Sequence, residues 1–201
     1  MNIIIQSTVL YWATALDLLM VLALLYIKFD STHHKAISLG QAIGSLLLVA
    51  ISLLLAFVFH FVPEDWILGF LGIIPLYFGL KYLFVGDDDD EEVEEQLEKR
   101  KGKNLMLTVI LISFASCGAD NIGLFTPFFV TLSKTQVIIS VITFLVNILI
   151  LGLIGKQLSR IKWLHRWLGK YSRWILGVVY CALGILILFE SGTVQKLLSF
   201  L

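Results

Sequence analysis

Residues 105–130 read LMLTVILISFASCGADNIGLFTPFFV, and residues 2–27 read NIIIQSTVLYWATALDLLMVLALLYI. As a helix, either run is long enough to cross a hydrocarbon core of about 30 Å. Each nevertheless carries one acid well inside it, Asp120 in the first and Asp17 in the second. No other acid lies deep in a hydrophobic stretch of this chain. A carboxylate near the middle of a bilayer costs about 3 kcal/mol on insertion scales. An ionisable residue at that depth marks a functional site by default.

The rest of the chain agrees with a membrane setting. Of its 201 residues 58% are hydrophobic and only 15% charged, against roughly 25% charged in soluble domains. The charges are confined to a few short segments. Six apolar spans are read at 3–27, 37–62, 66–85, 105–130, 136–154 and 173–189. Backbone facing lipid must satisfy its own hydrogen bonds, so these spans are expected to be helices. The alternating pattern of a membrane β-barrel is absent. The expected fold is an all-α polytopic membrane protein. Its first apolar run is expected to be a retained span, since no basic segment precedes it. Cys117 and Cys181 both fall inside apolar runs, which argues against a disulfide framework.

Lysine and arginine set the expected orientation. Thirteen of the fifteen flank the loops after spans one, three and five; Lys134 and Lys196 lie on the other side. The thirteen-residue side is expected to be cytoplasmic, with both termini outside. An odd number of spans per half then inverts the second half. Residues 1–86 form a first three-helix repeat, 87–104 an acidic and basic cytoplasmic linker, and 105–201 a second repeat, within one membrane domain. Two features support this. Trp66-Ile67-Leu68-Gly69 and Trp174-Ile175-Leu176-Gly177 repeat one tetrapeptide at the openings of spans three and six. Asp17 and Asp120 lie at comparable depths in spans one and four.

Polar atoms gather around the two acids. Ser113, Ser116, Cys117, Asn121 and Thr126 accompany Asp120, and Cys117 lies three residues before it on the same helix face. Thr14 stands in the same relation to Asp17. Gly118 and Pro127 are expected to loosen span four, and Pro75 to kink span three; irregular backbone is tolerated at this depth where it lines a cavity. The candidate metal ligands are Asp17, Asp120, Asn121, Thr14 and Cys117. Gln41, Ser116 and Thr126 are candidate pathway residues. Two carboxylates neutralise a divalent cation; oxygen ligands suit Mg²⁺, Ca²⁺ or Mn²⁺, and a thiol favours softer ions. The alternative is that these groups only hold helices together. Gly40 and Gly44 allow close helix approach, and Asn147 reads as an interhelical hydrogen bond. Trp163 and Trp167, set between basic residues, read as an interfacial helix on the cytoplasmic leaflet. His33-His34 signals a shared metal site only weakly.

Four segments together resemble the bacterial cadmium-resistance transporter family of the lysine-exporter superfamily. They are Ala13-Thr14-Ala15-Leu16-Asp17-Leu18-Leu19, Gly40-Gln41-Ala42-Ile43-Gly44, the stretch from Trp66 to Gly79, and the stretch from Gly118 through Asp120-Asn121-Ile122 to Pro127. The resemblance implies a multi-pass transporter of the bacterial cytoplasmic membrane that expels Cd²⁺ and related divalent ions. Asp17 and Asp120-Asn121 match the family's polar positions. Many members carry a second acid where this chain has Leu18, which leaves one carboxylate fewer. The expected mechanism is secondary export with protons as counter-ion, without cofactor, nucleotide or nucleic acid; the lipid bilayer and the transported ion are the partners. Other readings are an exporter of a small organic cation such as a basic amino acid, an intramembrane aspartyl protease, and a membrane assembly subunit that transports nothing.

Overall fold

The computed structural model describes residues 2–59, 69–84, 104–158, 162–191, 193 and 196. The linker read at 87–104 lies outside these residues except for Asn104. The side chains of Asp17, Ser116, Cys117, Trp163 and Trp167 are likewise outside the description. The described residues form helices without a strand: α1 (Ile3–Lys28), α2 (His34–Phe59), α3 (Ile73–Phe84), α4 (Leu105–Val130), α5 (Lys134–Leu158) and α6 (Lys162–Glu190). Short 3₁₀ turns at Ser31–His33 and Gly69–Gly72 lead into α2 and α3.

The two helices that carry the acids begin alike. The Asn2 side chain accepts the Ile4 N–H at 3.1 Å, and the Asn104 side chain accepts the Met106 N–H at 3.1 Å. Each asparagine satisfies a first-turn donor that has no helical partner. Both helices then run for 26 residues. The break expected at Gly118 and Pro127 is not seen: α4 is helical throughout, with Pro127 near its end. A glycine costs a helix about 1 kcal/mol, too little to expose backbone polar groups in an apolar setting. The axis bends instead in α1, by 50° between Ile3–Leu16 and Leu18–Lys28. Pro75 does not kink the middle of a span either. It is the third residue of α3, where its missing N–H has no helical acceptor to lose. The segment read as a separate interfacial helix is the start of α6, which runs unbroken from Lys162 for 29 residues.

Three pairings build the bundle: α2 on α4, α3 on α6, and α1 on α5. Glycines permit each of them. A Cβ on Gly40 or Gly44 of α2 would lie 2.8 Å from Val109 Cβ or 2.9 Å from Ser113 Cβ of α4. On α5, a Cβ at Gly155 would lie 3.1 Å from Leu22 Cβ of α1. The contact of α3 and the turn before it with α6 is reciprocal: Gly72 opposes Gly184, and Gly79 opposes Gly177. These matches make α2 and α4 parallel, α3 and α6 antiparallel. Hydrogen bonds from Ser7 to Ser140 (2.9 Å) and from Trp12 Nε1 to Asn147 Oδ1 (2.8 Å) align α1 and α5 in parallel. Asn147 therefore bonds across helices, as its position suggests. Asn147→Leu is expected to cost about 1 kcal/mol, the usual scale of an intramembrane hydrogen bond, measurable as a shifted unfolding equilibrium in bicelles.

The outward faces are apolar. Leu54, Phe57, Leu149 and Leu153 are each 63–67% exposed. Residues 31–59 and 134–157 are long and apolar enough to cross a membrane, and α1 is a third such span if its two bent segments are taken together. Residues from the start of α1 (Gln6, Val9), the end of α4 (Phe128), the start of α5 (Gln136) and the end of α6 (Leu186, Ile187) line one cavity of about 420 Å³. Those four helix ends therefore lie on one side of the bundle.

Candidate functional site

The middle of the bundle holds a second, much smaller cavity between α1, α2 and α4. Tyr11, Thr14, Ala15 and Leu18 line it from α1, Ser45 and Leu48 from α2, and Asn121 and Phe125 from α4. Its volume is about 10 Å³, close to that of one water-sized sphere. Thr14 and Ser45 sit near the midpoints of their helices, so the cavity lies well away from the ends of α1 and α2.

Its polar lining consists of oxygens with capacity to spare. Thr14 is buried and donates its hydroxyl proton to the Tyr11 carbonyl at 3.0 Å, which leaves its oxygen lone pairs available. The Ser45 hydroxyl accepts from Gln41 Nε2 at 3.2 Å. Asn121 is 5% exposed, and its Oδ1 has no hydrogen-bond partner among the described residues. Buried polar atoms are almost always paired, and an amide oxygen left without a partner costs about 1–3 kcal/mol. A buried amide oxygen on a residue that lines a cavity of this size is suited to a small cation or a water.

Of the residues predicted from sequence, the cavity brings together Thr14 and Asn121. Asp120, the residue before Asn121, turns a different way: its Oδ2 accepts the hydroxyl proton of Tyr82, near the end of α3. Neighbouring residues on a helix diverge by about 100°, so one acid–amide pair serves two sides of α4. Gln41 is buried, with its Oε1 3.1 Å from the place a Cβ on Gly152 would take; it lies between α2 and α5. Thr126 and Ser113 are buried on α4, each with a hydroxyl oxygen unpartnered among the described residues. No three His, Cys, Asp or Glu side chains cluster among the described residues. Among the described residues the cavity's donors are neutral oxygens, which suit hard cations. A softer ion would need a further donor such as Cys117, three residues before Asp120.

Two site residues were missed in the sequence. Ser45 had a legible signal: Gln41, Ser45 and Ser52 recur at helical spacing and are all buried on α2. Tyr82 had none, since a tyrosine beside a lysine at a span end reads as an interfacial anchor.

Buried polar side chains inside an all-helical bundle with an apolar exterior define an integral membrane protein with an internal polar site. Compared with known families, residues 11–200 match the one described as Cadmium resistance transporter. The match covers nearly the whole chain, and the chain belongs to that family. It is a family of transporters, not of enzymes. No curated protein and no solved structure matches the chain.

Proposed function

We propose that this chain exports Cd²⁺ from the bacterial cytoplasm by secondary transport, binding the ion between α1, α2 and α4. The observation that carries the reading is the unpartnered Asn121 carbonyl at the mid-bundle cavity with Thr14 and Ser45, one residue from Asp120. Asp120 and Asp17 supply the charge that neutral oxygens lack, and Cys117 supplies softness. Protons exchanged for the ion neutralise the carboxylates and lower the affinity for release outside; two nearby acids then titrate as a pair.

The architecture behind this mechanism is six spans in two inverted repeats, with both termini outside. The packing supports it. Exchanging α1 with α4, α2 with α5 and α3 with α6 turns the parallel α2–α4 contact into the parallel α5–α1 contact and maps α3–α6 onto itself. Asp17 is residue fifteen of α1 and Asp120 residue sixteen of α4, and an asparagine caps each helix. The reciprocal glycines make Gly72 the counterpart of Gly177 and Gly79 that of Gly184. The repeated Trp-Ile-Leu-Gly tetrapeptide would instead equate Gly69 with Gly177; its Trp66, Ile67 and Leu68 lie outside the described residues. The family match gives no support to the amino-acid exporter or protease readings.

Flux of Cd²⁺, Zn²⁺, Mn²⁺ and Ca²⁺ from proteoliposomes tests the reading. Cd²⁺ is expected to move fastest, and an opposing proton gradient to raise its flux several-fold. Flux indifferent to the gradient would remove proton exchange. Purified protein that moves no divalent ion would remove the transport reading itself.

A further inference from the structure

Asp120 lies between two parts of the bundle. On one side its neighbour Asn121 faces the cavity shared with α1 and α2. On the other its carboxylate accepts the Tyr82 hydroxyl of α3. Tyr82 is 2% exposed, and its ring stands edge-on to that of Tyr180 of α6, at 5.5 Å between centroids and 90° between planes. The α3 helix packs far more extensively on α6 than on α4. The backbones of α3 and α6 meet at Gly79 and Gly177, where an added Cβ on Gly79 would lie 2.6 Å from Cys181 N. The hydroxyl therefore belongs mechanically to the α3–α6 pair, and the carboxylate it binds belongs to α4.

A hydrogen-bond donor and a cation draw on the same carboxylate electron density, because both are electropositive, so a strong donor weakens the cation's hold. From this geometry we propose that Tyr82 is a latch on Asp120: its hydroxyl holds one carboxylate oxygen and draws charge from it, and a cation binds that carboxylate more tightly when the hydroxyl turns away. Tyr82 is thus a positioning residue acting through Asp120. Movement of the α3–α6 pair relative to α4 changes the ion affinity of a site it does not itself line. Alternating access requires such a link, since affinity must differ between the two orientations of the site. The inference rests on the metal-transport reading above and names the residue that modulates its affinity.

The test compares wild type with Tyr82→Phe, which keeps the ring against Tyr180 and removes only the donor. Cd²⁺ flux is measured in proteoliposomes, and Cd²⁺-induced infrared difference spectra are recorded on the same preparations. Tyr82→Phe is expected to lower the KM for Cd²⁺ about tenfold, the scale of one charge-assisted hydrogen bond. Maximal flux should fall as well, because a carboxylate that lacks the Tyr82 hydrogen bond releases the ion more slowly. Simple structural damage lowers maximal flux without tightening KM. In wild type, Cd²⁺ is expected to shift a tyrosine band that Tyr82→Phe lacks. A KM that rises or stays unchanged overturns the latch, a rise making Tyr82 a ligand or a support for one. If the variant does not fold, the wild-type spectrum decides alone: a tyrosine band unmoved by saturating Cd²⁺ overturns the proposal. Wild-type protein without saturable Cd²⁺ uptake would instead sink the transport reading, and the latch with it.

Discussion

Asp120→Asn is expected to lower Cd²⁺ flux in proteoliposomes by more than tenfold while leaving the bundle folded. The substitution is nearly isosteric, and the asparagine carbonyl can still accept the Tyr82 hydroxyl that Asp120 accepts now. What it removes is a negative charge. A divalent ion and a carboxylate 4 Å apart attract by roughly 8 kcal/mol at an effective dielectric constant near 20. Most of that offsets the cost of dehydrating the ion. If only a quarter survives as net affinity, roughly 2 kcal/mol, the loss is already about thirtyfold. Asp17→Asn is expected to do the same from α1. Wild-type flux in either variant, with protein still monodisperse, would show that the acid in question does not hold the ion.

Gly79→Leu is expected to have the largest effect on stability. Even a Cβ at this position would lie 2.6 Å from the backbone nitrogen of Cys181 and 2.9 Å from the Gly177 carbonyl oxygen. The obstruction is backbone, so no rotamer change relieves it, and α3 and α6 must separate. Overpacking of this kind costs about 1–3 kcal/mol, and more where the surroundings cannot give. A drop of 10 °C or more in thermal midpoint, or failure to reach the membrane folded, is the expected readout. Gly118→Ala is the matched control. Its added Cβ would meet Leu48 Cδ2 at an ordinary 3.7 Å, so its midpoint should stay within a few degrees of wild type. Equal damage from the two substitutions would mean that the α3–α6 glycines are not a close-packed seam.

Much of the helical layout was legible because membrane helices declare themselves by length. Apolar runs sufficed to place α1, α2, α4 and α5 within a few residues, and two acids inside them sufficed to nominate a site. Helix ends and breaks were less legible. Gly118 and Pro127 read as points where span four loosens, yet α4 stays helical across both. The bend in α1 occurs in a stretch that contains neither glycine nor proline.

The chain's own residues were enough to establish the membrane setting, the family and the two acids, because each rests on the chemistry of single residues and their order. Which of those residues face one another required the fold. A helix turns about 100° per residue, so Asp120 and Asn121, adjacent in the chain, reach opposite neighbours: one takes the Tyr82 hydroxyl, the other lines a cavity with Thr14 and Ser45. Tyr82, thirty-eight residues from Asp120 in the chain, becomes its partner only once the glycine seam has set α3 and α6 in contact. Pairings across helices depend on packing geometry, and no spacing within one chain encodes that distance.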